Sequence, residues 1–169
     1  MKKSNINQAP CYFDTYINKV EDIELAEAFQ KSIDTINILD MSVYNALADF
    51  AYAEGKWTIK QVFQHIIDTE RIMVYRALRF SRNDSTILPG FDENSFADNA
   101  PVAHRTLEDI LTDLKLVRAS SLALFNSFTD DLMQRKGIMF NSEMSVLAVG
   151  FTIIGHQIHH LNVIKERYL

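Results

Sequence analysis

The chain has 169 residues, of which 47% are apolar and 23% charged, a balance ordinary for one globular domain that buries a real core. Its formal net charge of −5, without a basic patch, argues against nucleic acid as a partner. No apolar run is long enough to span a bilayer, and no apolar segment follows Lys2 and Lys3 as it would in a signal peptide. The single cysteine, Cys11, cannot form an internal disulfide. We therefore expect one cytoplasmic domain over residues 1–169 that binds neither nucleic acid nor membrane.

The first third of the chain predicts one long helix and one short one. Residues 1–20 hold few helix signals, and we expect them to run extended and to dock apolar side chains on the body. The first helix is predicted over about 22–39, where apolar residues recur every three or four positions. A short helical turn is predicted around Ser42–Ala48, and Gly55 marks the turn that follows it.

Three further long helices are predicted downstream. The second runs from Thr58, a good N-cap, to Phe80. The third runs from Thr106, whose spacing to Asp109 resembles a capping box, to about residue 128. The fourth is predicted over Ser142–Glu166. Four long helical segments with almost no strand signal predict an all-α four-helix bundle.

The second and third predicted helices are joined by a long loop that contains Leu88–Asn94. Loops of this length often close over functional sites. A plain crossover between distant helix ends explains the loop equally well.

Histidines concentrate in the fourth helix, and two of them share its buried line. His156 and His160 lie four residues apart and therefore project from the same face. A line stepped by threes and fours through this helix is otherwise apolar: Val146, Val149, Ile153, His156, His160, Val163. Two buried imidazoles without partners are costly, and a metal ion accepts the bare nitrogen of each. The pair predicts a metal site; histidines satisfied by protein groups alone are the alternative, and His159, on the flank, is a weaker ligand candidate.

His65 is the natural third ligand. It lies to one side of the apolar face of the second helix and reaches the interior if that side faces the fourth helix. Asp68, three residues on, shares its side and could accept a proton or bond a ligand histidine, although a solvated carboxylate is its simpler interpretation. His104 is expected at the surface.

Three neutral imidazoles leave a coordination position open, as in catalytic rather than structural zinc sites. That position could hold a water of lowered pKa or a thiolate. All-nitrogen ligation favours a divalent ion such as zinc or nickel. Gly150 and Gly155 lie inside the fourth helix. Because glycine costs about 1 kcal/mol of helix stability against alanine, they predict close packing near the site.

Five stretches in order carry a resemblance to a known family: Tyr52–Ile59, His65–Arg71, Leu88–Asn94, Asn141–Ser145 and Gly155–His160. From about residue 12 the chain resembles the DinB/YfiT-like proteins of the DinB superfamily. One histidine on the second helix and a His-x-x-x-His pair on the fourth are similar to the family's metal triad, which maps onto His65, His156 and His160. The resemblance implies a bundle with a long crossover loop, an open three-histidine site and frequent homodimers.

The resemblance implies a site more firmly than a reaction, because fold does not determine function. Some relatives are metal-dependent thiol transferases or isomerases that use bacillithiol, mycothiol or glutathione, and many have no established activity. The leading hypothesis is a metal-dependent S-transferase that activates a small thiol on the ion, with the Phe91–Glu93 loop shaping the entrance. The alternatives are a metal-dependent hydrolase with Asp68 as base and a non-catalytic metal- or ligand-binding bundle of a stress response.

Overall fold

The computed structural model describes residues 1–7 and 12–169, so Cys11 lies outside the described residues. Within those ranges the chain forms eight α-helices, a 3₁₀ turn at Lys3–Asn5 and one β-hairpin. In chain order the elements are α1 (Asp14–Ile17), α2 (Leu25–Asn37), α3 (Met41–Ala46), α4 (Ile59–Ser81), α5 (Glu93–Asp98), α6 (Leu107–Asn126), α7 (Asp130–Gln134), β1 (Lys136–Met139), β2 (Ser142–Ser145) and α8 (Val146–Arg167).

The four long helices, α2, α4, α6 and α8, form the predicted four-helix bundle. Helices α2 and α4 each pack against both α6 and α8, so α2 lies diagonally opposite α4. The chain therefore crosses the bundle between α2 and α4 and again between α6 and α8. The long connection between α4 and α6, residues 82–106, carries α5 and joins two neighbouring helices; it is called the crossover below.

Side-chain caps fix where α4 and α6 begin. The Thr58 hydroxyl accepts a hydrogen bond from the Gln61 backbone N–H, and the Gln61 side chain accepts one from Thr58 in return. Thr106 and Asp109 form the same reciprocal box at α6. Both starts agree with the sequence prediction, because these bonds satisfy backbone donors that a helix leaves free at its first turn.

The sequence predicts an extended segment over residues 1–20, but the structure has two short helical turns within it. A 3₁₀ turn forms at Lys3–Asn5, and α1 forms one helical turn over Asp14–Ile17. Phe13 and Ile17 are buried and hold this turn against α8. Docking, rather than intrinsic propensity, stabilises so short a helix.

The predicted start of the fourth helix at Ser142 is wrong, because α8 begins at Val146. Residues Ser142–Ser145 form β2, which pairs antiparallel with β1. The two loop residues, Phe140 and Asn141, have φ values of 44° and 61°, as a type I′ hairpin turn requires. The Ser145 hydroxyl then caps α8 by accepting the Ala148 N–H.

Two apolar clusters form the core, and α8 runs through both. Ile154 belongs to the cluster shared with α2 and the hairpin, and Leu161 to the cluster shared with α4 and α6. His156 and His160 lie between these two residues, at the junction of the clusters. Among the described residues, no helix combines the length and apolarity that a membrane crossing needs.

Candidate metal centre

Three histidines from two helices meet at the junction of the two core clusters. His65 comes from α4, and His156 and His160 come from successive turns of α8, which packs directly on α4. His65 is 6% exposed and His156 is 7% exposed, while His160 is half-buried. The side of α4 that carries His65 therefore does face α8, which was the condition for a third ligand.

The three rings converge through their Nε2 atoms. The His156 Nε2 lies 3.1 Å from that of His65 and 3.0 Å from that of His160. One ring nitrogen from each histidine lies within 4.8 Å of the other two. In the described part of the chain, this is the one group of three or more His, Cys, Asp or Glu side chains close enough to hold a metal ion.

Burial keeps these imidazoles neutral. It lowers the pKa of His65 to about 4 and that of His160 to about 3, and the neighbouring histidines add a smaller effect in the same direction. The pKa of His156 also falls well below its usual value, first because of burial and then because of His160 and His65. At neutral pH each ring thus has one nitrogen with a free lone pair, which is the form that binds metals.

Aromatic rings enclose the histidines on two sides. The Trp57 ring lies 4.7 Å from that of His65, and the Tyr16 ring meets that of His156 edge-on at 5.4 Å. Gly155 allows the second contact, because a Cβ at this position would lie 2.0 Å from the Tyr16 carbonyl oxygen. The close approach that Gly155 predicts is therefore the contact of α1 with α8. Burial also raises the pKa of the Tyr16 phenol to about 12.

A cavity of about 250 Å³ lies beside the triad and is lined by two of its histidines, His65 and His156. Its walls come from the N-terminal segment, α4, the crossover, the hairpin turn and α8. They comprise Tyr12, Phe13, Tyr16, His65, Thr69, Met73, Arg76, Gly90, Phe91, Glu93, Phe140, Thr152, Ile153 and His156. The predicted Phe91–Glu93 entrance loop contributes two of these residues, while Asp92 caps α5 instead. The lining is mainly apolar, and Glu93 supplies its one carboxylate.

Asp68, the predicted base, does not line this cavity. Its carboxylate accepts a hydrogen bond from Gln64 at 2.9 Å and lies 3.9 Å from Arg71. It faces a separate cleft beside α5. Within residues 1–7 and 12–169, no hydrogen bond joins Asp68 to any of the three histidines.

The remaining histidines lie outside the cluster. His159 is half-buried and packs its ring against Tyr16 at 5.5 Å, and His104 is exposed at the entry to α6. Both positions agree with their ranking as weaker candidates.

Sequence reasoning missed one charged residue of the cavity, Arg76. The signal was available, since Arg76 follows His65 by eleven residues and so returns to within about 20° of it around the helix. Thr69, four residues after His65, lines the cavity as well, and its hydroxyl is buried without a hydrogen-bond partner.

Fold and site together define a four-helix bundle with a triad of neutral histidines, two of which line a cavity. The family model described as the DinB superfamily matches residues 28–164. The chain belongs to the DinB superfamily.

Two similar proteins agree with this assignment. A protein of Oceanobacillus iheyensis, provisionally named a metal-dependent hydrolase, is 26% identical over 151 residues, which cover 86% of this chain and 85% of that protein. The solved structure of YfiT from Bacillus subtilis, described as a probable metal-dependent hydrolase with an unusual four-helix bundle topology, superposes with a TM-score of 0.64 at 19% identity. That match covers 91% of this chain and 84% of YfiT, and it supports the fold.

Proposed function

We propose that the chain is a metal-dependent enzyme in which His65, His156 and His160 hold one divalent ion, zinc or nickel, and the cavity binds a small-molecule substrate. The observation that carries the proposal is the convergence of three neutral imidazole nitrogens beside a cavity that His65 and His156 line. Both relatives carry the description of a metal-dependent hydrolase, provisional for one and probable for the other, and these descriptions point in the same direction.

The nitrogens fit an ion better than they fit one another. A neutral imidazole nitrogen carries either one hydrogen or one lone pair, so the His156 Nε2 can satisfy only one of its two close neighbours. Ligands about 2.05 Å from a common tetrahedral ion lie about 3.3 Å apart, close to the separations here. Three lone pairs directed at one ion remove the conflict.

Hydrolysis is the reaction that the relatives' names favour. When bound, a divalent ion at such a site supplies Lewis acidity and lowers the pKa of a coordinated water or thiol. The chain's own contributions are a mainly apolar wall that accommodates the substrate and the Glu93 carboxylate, which we assign as proton acceptor in place of Asp68. Glu93 lines the cavity, whereas the Asp68 carboxylate faces another cleft.

Transfer to a small thiol is the second candidate, and one observation favours it. The apolar walls formed by Met73, Phe91 and Ile153 suit an apolar electrophile.

Elemental mass spectrometry of purified, untagged protein tests the metal site. We expect close to one zinc or nickel ion per chain, lost in a His156→Ala/His160→Ala variant and retained in the matched His159→Ala variant. Absence of an ion, with no uptake from added zinc or nickel, would overturn the proposal. Loss of the ion in His159→Ala would overturn the ligand assignment.

A cobalt-substituted sample then separates the two reactions. A thiol that enters the site should change the visible spectrum of the cobalt, and a thiol-dependent product should form from an aromatic electrophile. Ester or amide cleavage without added thiol supports the hydrolase. Stoichiometric metal with neither reaction would leave a non-catalytic binding bundle. The homodimer remains a prediction that analytical ultracentrifugation checks.

A further inference from the structure

Arg76 is a buried cation at the cavity wall without an acid to neutralise it. It is 6% exposed, yet within the described ranges no carboxylate lies within ion-pair distance of its guanidinium. Two of its five N–H donors are engaged, one by the Pro89 carbonyl at 2.6 Å and one by the Met73 sulfur at 3.6 Å. Burial lowers its pKa with no neighbouring acid to offset the effect, but a guanidinium stays charged at neutral pH.

The protein has another buried arginine, and its treatment is different. The Arg118 guanidinium is 2.8 Å from the Glu70 carboxylate, and both side chains are almost fully buried. Burying a charge without a counter-ion costs several kcal/mol, so a closed pair is the ordinary arrangement. Arg76, at the wall of the cavity that His65 and His156 also line, has no such carboxylate partner among the described residues.

Thr69 supplies a second unsatisfied group on the same wall. Its hydroxyl is buried without a hydrogen-bond partner among the described residues. Thr69 and Arg76 lie within about 40° and 20° of His65 around α4, because residues advance about 100° each. At a rise of about 1.5 Å per residue, their Cα atoms lie about 6 Å and about 16 Å along the helix from that of His65.

We propose that Arg76 binds the carboxylate of an organic molecule whose other end lies at the histidine triad, and that Thr69 donates a hydrogen bond to the same molecule between them. This substrate class rests on the proposed function, since the triad is taken as the reacting end. The Pro89 carbonyl holds the guanidinium in place before binding, so little ordering is needed.

The rest of the cavity narrows the ligand to a monoanion. A single guanidinium offers two parallel donors, which match one carboxylate. The exposed Glu93 side chain also lines the cavity and would repel a second negative charge. The walls between the two ends are apolar, with Met73 on α4 and Ile153 on α8, and favour an aliphatic or aromatic body.

Isothermal titration with a series of ω-phenylalkanoates of increasing chain length, each against its neutral amide, tests the proposal. We expect the acid of the best length to bind wild-type protein at least about tenfold more tightly than the amide, as one charge-assisted pair allows. The preference should disappear in Arg76→Met and persist in part in Arg76→Lys. The matched control is Arg79→Met, which removes the same charge from an arginine that is paired with Asp84 and does not line the cavity.

The titrations are run on zinc-loaded and on EDTA-treated protein, because a carboxylate can also bind a metal. A preference that persists without metal and needs Arg76 supports the proposal even if the metal site fails. Equal binding of acid and amide to wild type, no binding of any acid, or a preference retained in Arg76→Met would overturn it while leaving the metal site intact. Tighter binding of a phosphonate dianion would overturn the carboxylate class.

Discussion

Helix α4 buries two polar sites on different faces, and protein groups close only one of them. Glu70 accepts hydrogen bonds from the Arg118 Nε at 2.9 Å and Nη2 at 2.8 Å, and from the Ser121 hydroxyl at 2.7 Å. On the other face, His65 has two histidine nitrogens as neighbours, and Thr69 has no hydrogen-bond partner among the described residues. Protein groups satisfy the carboxylate of Glu70, whereas the lone pairs of the three histidines and the hydroxyl of Thr69 are available to a ligand.

The difference separates stability from function within a single helix. A closed buried ion pair specifies how α4 meets α6 and asks for no ligand. An open set of neutral imidazoles and an unpaired cation contributes little to folding, since its groups lose water without gaining partners. The open site is therefore explained by binding, whereas the Glu70–Arg118 pair is explained by stability.

Acidification should produce the largest effect, through the open site of the metal-free protein. The folded-state pKa values of His65, about 4, and His160, about 3, lie below the value of about 6.5 in an unfolded chain. Below about pH 6.5 these two histidines therefore bind protons in the unfolded chain but stay neutral in the folded chain. Stability is full above this pH and falls on acidification by about 1.4 kcal/mol per pH unit for each histidine that stays neutral.

Urea unfolding of EDTA-treated protein across this pH range measures the slope. A His104→Gln control, which changes an exposed histidine, should leave the slope unaltered. A flat profile between about pH 6.5 and about pH 4.5 would contradict burial of neutral imidazoles.

Breaking the closed site should cost about 3–5 kcal/mol of unfolding free energy. In Glu70→Ala the Arg118 guanidinium, which is 1% exposed, loses its counter-ion and stays buried. Chemical denaturation monitored by circular dichroism measures the loss. A Glu70→Leu/Arg118→Met double variant should recover most of the lost unfolding free energy, because it leaves no buried charge unpaired. A double variant as unstable as Glu70→Ala would contradict the assignment of the loss to the unpaired guanidinium.

Zinc should stabilise the protein by about 2.7 kcal/mol at a free concentration one hundred times its Kd, because it binds the folded chain. Thermal unfolding with and without zinc measures this as a rise in Tm. The rise should vanish in His156→Ala, whose Nε2 lies at the centre of the triad, and remain in His159→Ala. An equal rise in both variants would mean that zinc binds elsewhere.

The smallest effect is expected at Asp68. In Asp68→Asn the side chain keeps an oxygen for Gln64 and loses only a long, partly exposed contact with Arg71. Unfolding free energy should change by less than about 0.5 kcal/mol, and metal content should be unchanged. A variant that binds metal but loses activity would restore Asp68 as the base.

The sequence predicted what depends on local periodicity. His156 and His160 are one turn apart in any helix, so their shared face needed no tertiary information. The caps at Thr58 and Thr106 are likewise local, because each bond spans three residues. His65 was named as the third ligand from its position beside the apolar face of α4, and the resemblance to the DinB/YfiT-like proteins pointed to the same histidine.

The errors arose where distant parts of the chain decide the outcome. The hairpin was missed because its turn places Phe140 at positive φ, a conformation that an aromatic residue does not predict. Asp68 was kept as a candidate base because it follows His65 by three residues, but helical spacing does not say which flank of α4 lines the cavity. Arg76 was overlooked although its spacing places it near His65 around α4, because spacing alone does not show that the crossover packs over its guanidinium and bonds it through the Pro89 carbonyl.

The contact between Tyr16 and Gly155 links the two ends of the chain. Tyr16 of α1 and His156 of α8 both line the cavity, and Gly155 lets the two helices approach closely beside it. Tyr16 and Gly155 are far apart in sequence, so their contact is non-local and carries the loop-closure entropy of the chain between them. A nascent chain has no finished site until α8 has been made, because α8 supplies His156 and His160.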